Sequence, residues 1–433
     1  MGENQRDTGL VRTVGTWGLA ASIVNTVIGA GIFAVPAALA ACVGPYAPLA
    51  FLLCAIAMGA VAICFAEGGS RVPTSGGAYG YVEAAFGPLV GYVTGMLLWS
   101  SDALACGGIA AALADVCTSV LAPSVRSPAR VVIVVAVVGG IALVNLGGAA
   151  RGARFVGAAT LLKLAPLAVF VVAGASAIHR VNFAQTVAPA TDGLGRAAIL
   201  ALFAFTGMEG PLGASGEVAE PSRTIPRALA IATASVTVLY VAIQIIAQGI
   251  LGPSLAHSTS PLADAMAQIS PSLRLLMLAG AALSMFGWIG SDMLGTPRMV
   301  FALARDGLLP RVLGRVHGRT HVPHVAILFY AALTIGLALS GTFAELAVLS
   351  TLAVAVVYIA GCAAAWTLAR RGVARAGEPL RFRGLRAAMV TGIASMLVLI
   401  ALASRAEILG LIAAVGASVA LYVLQTQGFR LRR

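Results

Sequence analysis

The nine residues NTVIGAGIF (25–33) interrupt the first long apolar run of the sequence with two glycines around one alanine. Each glycine destabilises a helix interior by about 1 kcal/mol relative to alanine, and non-helical backbone at membrane depth is tolerated only where it lines a cavity or is buried in protein. The stretch therefore predicts a break at 29–31 that serves as a binding site. A half-helix beginning near Ile32 would point N–H groups at a carboxylate, and the carbonyls before the break would suit an ammonium or a cation. The alternative interpretation is a seam of small residues that lets two membrane helices pack closely.

The composition of the chain is that of an integral membrane protein. Of its 433 residues, 59% are hydrophobic and only 10% are charged, which differs strongly from the usual composition of soluble domains. The 28 basic and 16 acidic residues give a formal net charge of +12. We therefore expect a lipid bilayer around the protein. Because the basic residues form no arrays interleaved with aromatic residues, we expect no nucleic-acid partner.

Neither the N-terminus nor the cysteines indicate processing or a metal site. The first apolar run is too long and too often interrupted by glycine for a signal peptide, so we expect no cleavage. The cysteines lie within or at the edges of apolar runs, without a CxxC motif or a paired histidine, which argues against a disulfide framework and against a metal site. They are Cys42, Cys54, Cys64, Cys106, Cys117 and Cys362.

Twelve apolar runs are long enough to cross the roughly 30 Å hydrocarbon layer of a membrane. They cover residues 15–42, 46–66, 88–120, 129–147, 155–175, 197–216, 227–251, 273–303, 323–340, 343–369, 385–403 and 406–425. An even number of spans leaves both termini on one side, and 21 arginines fall on that side against six on the other. The positive-inside rule therefore predicts cytoplasmic termini in a bacterial-type inner (plasma) membrane.

The sixth apolar run is interrupted in the same way as the first. Its segment FAFTGMEGP (203–211) contains two glycines, a proline and an acid. Interrupted helices at corresponding positions of two halves are typical of transporters built from inverted repeats, with the binding site between the halves. We therefore predict an all-α fold of twelve transmembrane helices, arranged as a 5+5 inverted repeat with discontinuous first and sixth helices. The predicted segments are a cytoplasmic tail 1–14, a first repeat 15–175, a second repeat 197–369, two further helices 385–425 and a cytoplasmic tail 426–433.

Four motifs resemble those of the amino acid, polyamine and organocation permease superfamily, whose members share a LeuT-type fold with two discontinuous helices. They are IGAGIF (28–33), RVPTSGGAYGY (71–81), EVAEPSRTIPRA (217–228) and MVFALARDGLLP (299–310), and the correspondence covers helices one to ten. The resemblance implies transport of a small molecule by alternating access. None of the motifs determines the substrate.

Lys163 is the only lysine in a chain with 27 arginines, and it lies in the middle of the fifth apolar run. A buried lysine, unlike an arginine, can lose its proton, and ionisable groups inside membranes are candidates for function, so we interpret it as a proton carrier. In proton-coupled relatives a lysine at this point of the fifth helix replaces a sodium ion, near the first helix break and a serine of the eighth helix. The resemblance implies that Ser284 is this serine, so we place it with Lys163 in the proton-coupling site. The alternative is a lysine whose amine extends to the membrane interface.

Three acids also lie well inside predicted spans, away from their ends, where they should face a cavity or a partner: Asp102, Glu209 and Asp292. By resemblance to the arginine/agmatine antiporter of this superfamily, Asp102 replaces a substrate-contacting asparagine, Asp292 replaces a substrate-facing tryptophan, and Glu209 matches an acid. Two carboxylates could bind a second amine of the substrate; alternatively Asp102 and Asp292 pair with each other, with Lys163 or with the backbone. We assign Glu209 to proton coupling, and the alternative is a conformational gate that never touches the substrate.

The same resemblance implies where a substrate binds. Its carboxylate would meet the backbone of Ala30 and Gly31, which follow Gly29 in the first break. Its amine would meet the carbonyls of Val27, Phe203 and Thr206. The sequence departs from the antiporter in carrying Lys163 and in lacking the pocket tryptophan.

The sequence contains no motif of a known enzyme class: no GxSxG with triad partners, no HExxH and no phosphate-binding loop. The histidines lie in predicted loops or at their edges, and we interpret His317, His321 and His324 as part of a basic cytoplasmic loop rather than as a metal site. We therefore expect no catalytic activity, no metal and no cofactor.

The leading functional hypothesis is a proton-coupled transporter of amino acids or amines with a preference for cationic substrates. The alternatives are an exchanger or exporter without proton coupling, a neutral amino acid permease of broad specificity, and a substrate sensor that does not transport. A sensor usually carries an added signalling domain or a long tail, and both tails predicted here are short.

Overall fold

The computed structural model describes residues 13–29, 31–73, 77–119, 121–147, 163–184, 191–212, 215, 218–305, 307–320, 322–375 and 378–430. Ala30, His321, the N-terminal tail to residue 12, residues 155–162 of the fifth apolar run and parts of all four motifs lie outside the described residues.

The described residues form sixteen α-helices and no β-strand. The helices of the first half are α1 (Thr16–Val27), α2 (Gly31–Val43), α3 (Ala47–Arg71), α4 (Ala78–Phe86), α5 (Pro88–Thr118), α6 (Pro123–Leu146) and α7 (Leu164–Gly174). Those that follow are α8 (Thr191–Phe205), α9 (Glu209–Leu212), α10 (Pro221–Leu251), α11 (Pro261–Ala267), α12 (Pro271–Arg305), α13 (His324–Ser340), α14 (Phe343–Arg370), α15 (Leu385–Ala401) and α16 (Arg405–Arg430).

Proline and one capping box set the beginnings of several helices. Five helices begin with a proline (α5, α6, α10, α11 and α12), because the fixed φ of proline suits the first turn and its missing N–H would be unpaired there anyway. At the start of α14, Thr342 and Glu345 form a capping box, in which each side chain accepts a hydrogen bond from the other residue's backbone N–H.

Seven helical segments of the described residues are long and apolar enough to cross a membrane, and four shorter helices are also apolar. The molecule is therefore an all-helical membrane protein with multiple spans. Two predicted spans are each divided: the first consists of α1 and α2, and the sixth contains α8 and α9. The count of twelve spans and the inverted repeat stay predictions.

Helices α5 and α14 form the centre of the molecule. Within its most apolar stretch α5 is 78% buried and α14 is 72% buried, whereas α16 is only 6% buried and lies at the periphery. The two central helices pack against each other, and α5 also packs against α4, α12 and α13. Ser101 and Ser350 join them through reciprocal hydrogen bonds, in which each hydroxyl donates to the other residue's carbonyl at 2.9–3.0 Å.

A buried ion pair fastens the end of α3 to the segment that follows α14. Arg71 and Glu67 are 7% and 1% exposed and approach to 2.6 Å. Arg71 also donates to the carbonyl of Val373 at 3.0 Å, and Glu67 accepts from the N–H of Phe382 at 3.2 Å. Because both charged groups are satisfied by hydrogen bonds as well as by each other, this pair can exist away from water.

We expect the substitution Arg71→Met to lower stability by about 3 to 5 kcal/mol, because it leaves the buried Glu67 carboxylate without its counterion. The matched control is Arg223→Met, since Arg223 pairs with Glu220 at 3.5 Å but both side chains are more than 70% exposed. That change should alter stability by no more than about 1 kcal/mol. Thermal unfolding of both variants in detergent is the measurement, and equal losses would contradict the role of burial.

Candidate binding site at the two helix breaks

The first break leaves a set of backbone carbonyls without helical partners. Helix α1 ends at Val27, and the N–H of Gly29 donates to the carbonyl of Val27 at 2.8 Å. In a continuous helix this N–H would instead donate to the carbonyl of Asn25, four residues earlier. The carbonyls at the end of α1 must therefore find other donors or a ligand.

Lys163 supplies two of these hydrogen bonds. It is 3% exposed and directly precedes α7, and its Nζ donates to the carbonyl of Asn25 and, at 2.7 Å, to the carbonyl of Ile28. Ser284 of α12 donates to the carbonyl of Gly29 at 3.2 Å. An ammonium bridging carbonyls of a helix end uses the negative dipole end that such a break exposes. Lysine, serine and the first break thus meet at one point.

Two further side chains complete the contacts, and sequence reasoning missed both of them. The indole N–H of Trp288 in α12 donates to the carbonyl of Thr26 at 3.1 Å. The hydroxyl of Tyr240 in α10 donates to the carbonyl of Val27 at 2.9 Å. All five carbonyls from Asn25 to Gly29 therefore accept a hydrogen bond from a side chain of another helix.

A close approach of α7 to α12 brings the lysine to its place. A Cβ added to Gly280 would lie 2.6 Å from the Cβ of Pro166, so the two helices can be this near only with glycine there. Pro166 lies one turn after Lys163, and Gly280 lies one turn before Ser284. The contact holds the lysine and the serine on the same side of the break.

The second break has its own internal hydrogen bonds. Helix α8 ends at Phe205, and Gly207 adopts a φ of +113°, a conformation that side-chain-bearing residues rarely take. The N–H of Gly207 donates to the carboxylate of Glu209 at 3.1 Å, and the hydroxyl of Tyr358 in α14 donates to the same carboxylate at 2.8 Å. Glu209 is 6% exposed and ties the second break to the central helix α14.

The two breaks touch each other through small residues. A Cβ on Gly207 would lie 3.1 Å from the carbonyl oxygen of Thr26, and a Cβ on Gly31 would lie 3.1 Å from the Cα of Ala204. Within the second break the hydroxyl of Thr206 donates to the carbonyl of Phe203 at 2.8 Å. The predicted binding residues Val27, Gly29, Gly31, Phe203 and Thr206 therefore lie around one junction, whereas Ala30 is outside the described residues.

The acids of α5 and α12 lie together, away from the lysine. Asp292 accepts hydrogen bonds from the hydroxyl of Tyr330 at 2.6 Å and from that of Thr296 at 2.8 Å. Asp102 lies close enough to Asp292 for the two carboxyl groups to interact electrostatically. Neither acid has a salt-bridge partner within the part of the chain that the structure describes. The two acids are therefore near enough to interact with each other, and among the described residues neither of them pairs with Lys163.

Helical spacing in the sequence would have found Trp288. Ser284, Trp288, Asp292 and Thr296 follow one another at intervals of four, which places them along one side of α12. The resemblance to the antiporter implies a tryptophan at the position of Asp292; here Trp288 brings an indole to the break from one turn earlier. Tyr240, Tyr330 and Tyr358 had no such indication, because none of them lies within a motif.

The arrangement offers oriented acceptors, oriented donors and one titratable amine, and among the described residues it holds no nucleophile activated by a base. The carbonyls at the end of α1 suit a cationic group, and the start of α2 suits an anionic group. The junction of the two breaks is therefore suited to binding a small zwitterion or amine.

Comparison with known proteins gives the family. Residues 14–424 match the family model described as amino acid permease. An uncharacterised transporter of Mycobacterium tuberculosis is 31% identical over 350 residues, covering 75% of this chain and 73% of that protein. The methylthioribose transporter of Bacillus subtilis is 27% identical over 335 residues and 72% of each chain. The branched-chain amino acid permease BcaP of the same organism is 25% identical over 343 residues, covering 75% of this chain and 74% of that protein.

These relatives are transporters and not enzymes. This agrees with two helix breaks that offer hydrogen-bond donors and acceptors to a small molecule. The family match extends over both breaks, Lys163 and the two acids. The chain belongs to the amino acid permease family.

Proposed function

We propose that this protein moves amino acids or related amines across the inner membrane by alternating access, and that Lys163 couples this transport to protons. The observation that carries the proposal is the position of the lysine amine, which donates to the carbonyls of Asn25 and Ile28 across the first break. A protonated amine there holds the break against α7. A neutral amine holds it less firmly, since charge-assisted hydrogen bonds are roughly twice as strong as neutral ones.

Substrate binding in this proposal uses the junction of the two breaks. The carboxylate binds the N–H groups at Ala30 and Gly31, at the positive end of α2. The amine binds the carbonyls of Val27, Phe203 and Thr206. Tyr240 already donates to Val27, and the Thr206 hydroxyl already donates to Phe203. Each of these two carbonyls also accepts a backbone N–H, from Gly29 and from Thr206 respectively, so both lone pairs of each oxygen are in use and the substrate amine must share or displace a donor there.

The proposed architecture is a 5+5 inverted repeat of residues 15–175 and 197–369, with two further helices at 385–425 and both termini in the cytoplasm. Two features support it. The first and sixth spans are each interrupted at a glycine pair, as expected for corresponding helices of two repeats. The excess of arginine on the side of the termini agrees with the positive-inside rule.

The test is uptake by purified protein in proteoliposomes, with a panel of labelled amino acids, diamines and methylthioribose. We expect uptake of one or more amino acids or amines, faster when the proton gradient is directed inward. Uptake that ignores the gradient but rises when unlabelled substrate is loaded inside would favour the exchanger. Binding without uptake would favour the sensor.

We further propose a preference for cationic substrates, because Asp102 and Asp292 lie together without a basic partner among the described residues. Two such carboxylates in a low-dielectric site favour a bound cation or a proton. A neutral amino acid is the second candidate substrate, because the relative BcaP is named for branched-chain amino acids.

We expect Asp102→Asn to weaken binding of lysine, arginine or a diamine by roughly 10- to 100-fold, the range of a lost charge-assisted hydrogen bond. Binding of alanine should change little. The matched control is Asp115→Asn in the same helix, where Asp115 pairs with Arg130 at 3.0 Å and is 47% exposed. Competition binding to the purified variants is the measurement, and equal losses for lysine and alanine would make the acids structural.

A further inference from the structure

Trp288 lies directly on the first break. A Cβ added to Gly29 would be 2.6 Å from Cδ1 of the indole ring, so the ring rests on the bare glycine backbone. Its Nε1–H donates to the carbonyl of Thr26 at 3.1 Å. Trp288 lies outside the four motifs, and it has no role in the proposed transport cycle.

Of the four side chains that donate to the break, Trp288 is the one that is not fully enclosed. Lys163, Tyr240 and Ser284 are 3%, 0% and 0% exposed, whereas Trp288 is partly exposed. It is also a neutral donor, and a neutral donor binds a carbonyl more weakly than an ammonium does. A cationic ligand arriving at the break would therefore replace the indole more readily than the other three donors.

The carbonyl that Trp288 occupies lies against the second break. The carbonyl oxygen of Thr26 lies 3.1 Å from the place of a Cβ on Gly207, which is the contact between the two breaks. The indole thus holds an acceptor at the junction where the proposed substrate amine binds. The ligand and the indole compete for the same region of the first break.

We propose that Trp288 is a positioning residue that occupies the Thr26 carbonyl while the site is empty and is displaced by the ammonium group of the substrate. Its release frees α12 from this contact with the first break, so binding of an amine breaks one of the two hydrogen bonds that α12 donates to the described residues there. The other contact, from Ser284 to Gly29, remains. This inference rests on the proposed function, because it requires a substrate that carries an ammonium group.

The test compares Trp288→Phe with Trp99→Phe. Trp99 is partly buried and stacks on Phe329 with ring centroids 6.2 Å apart, and its Nε1 has no hydrogen-bond partner in the described part of the chain. Trp99→Phe therefore removes an indole without freeing a carbonyl. The ligands are the amino acid found to bind the wild type and its 2-oxo acid, which lacks the ammonium group.

We expect Trp288→Phe to bind the amino acid about fivefold more tightly, the effect of removing one competing neutral hydrogen bond, with no gain for the 2-oxo acid. Trp99→Phe should bind both ligands as the wild type does. Substrate should also change the tryptophan fluorescence of the wild type and of Trp99→Phe, and this change should be absent in Trp288→Phe.

Equal or weaker amino acid binding by Trp288→Phe, or an equal gain for the 2-oxo acid, would overturn the displacement of Trp288 and leave the proposed function intact. A wild type that binds methylthioribose but no compound with an ammonium group would overturn both. If Trp288→Phe does not fold, the substrate-induced fluorescence change of Trp99→Phe tests the proposal instead. Loss of the substrate-induced change in that variant would mean that Trp99 reports binding and Trp288 stays in place.

Discussion

Uptake by Lys163→Ala is expected to lose its acceleration by an inward proton gradient completely. The amine is the group that bridges the carbonyls of Asn25 and Ile28, and alanine can neither make those contacts nor carry a proton. In the proposed cycle the protonated amine stabilises the closed contact when the site is open to the outside. Release of the proton towards the cytoplasm weakens the contact and favours inward opening, because desolvation disfavours the charged form.

The substitution Lys163→Arg keeps the positive charge at this position but prevents release of the proton. A guanidinium keeps its charge at any accessible pH, so this variant should still bind substrate but fail to respond to the gradient. The measurement is uptake by both variants in proteoliposomes at symmetric and asymmetric pH. A gradient response as large as that of the wild type in Lys163→Ala would remove this residue from the mechanism.

Ser284→Ala is the matched control for the lysine variants. Ser284 bonds the carbonyl of Gly29 in the same break at 3.2 Å but has no proton to exchange at neutral pH. Its loss should weaken substrate binding by a factor of about 5, as for one net hydrogen bond, while the response to the gradient persists. Loss of the response in this variant too would indicate that the shape of the break, and not the titration of the lysine, determines coupling.

Gly207→Ala is expected to reduce substrate binding by about tenfold or more, because a side chain at a φ of +113° is strained by about 1 to 3 kcal/mol. The added Cβ would also press on the carbonyl of Thr26 at 3.1 Å. Relief of either strain would move the two breaks apart and distort the junction at which the substrate amine is proposed to bind.

The neighbouring Gly210 provides the control. A Cβ there would meet only the Cγ2 of Thr26 at 3.6 Å, which is an ordinary van der Waals contact, and its φ is not positive. Binding and uptake by Gly210→Ala should therefore stay within about twofold of the wild type. Equilibrium binding and proteoliposome uptake of both variants are the measurements. Wild-type binding by Gly207→Ala would mean that the second break does not need its left-handed conformation.

The sequence alone determined the class of the protein and the positions of its two breaks. Long apolar runs with few charges can be stable only in a membrane, and glycine pairs within such runs have a local effect on the helix that contains them. Helices α1 and α8 accordingly end at Val27 and Phe205, next to Gly29 and Gly207. The sequence also showed, without any structure, that Lys163 is the one lysine beside 27 arginines.

Apart from Lys163 and Ser284, which the family resemblance placed near the first break, only the tertiary structure decided which side chains meet the breaks. Trp288 and Thr26 are 262 positions apart, and Lys163 and Asn25 are 138 apart. Periodicity relates residues within one helix, so it could have placed Trp288 on the side of α12 that carries Ser284 and Asp292. It could not have shown which neighbouring helix that side contacts, because this depends on how close the helices approach, as at Gly280 and Pro166.

Asp102 and Asp292 also show what the sequence determines and what only the tertiary structure decides. Their position inside apolar spans predicted that Asp102 and Asp292 need a partner, and the sequence left open whether that partner was each other, the lysine or the backbone. Packing of α5 against α12 and α13 set the two carboxyl groups together and brought Tyr330 to Asp292 at 2.6 Å. The lysine went to the carbonyls of the first break instead, because α7 approaches α12 at Gly280, one turn before Ser284.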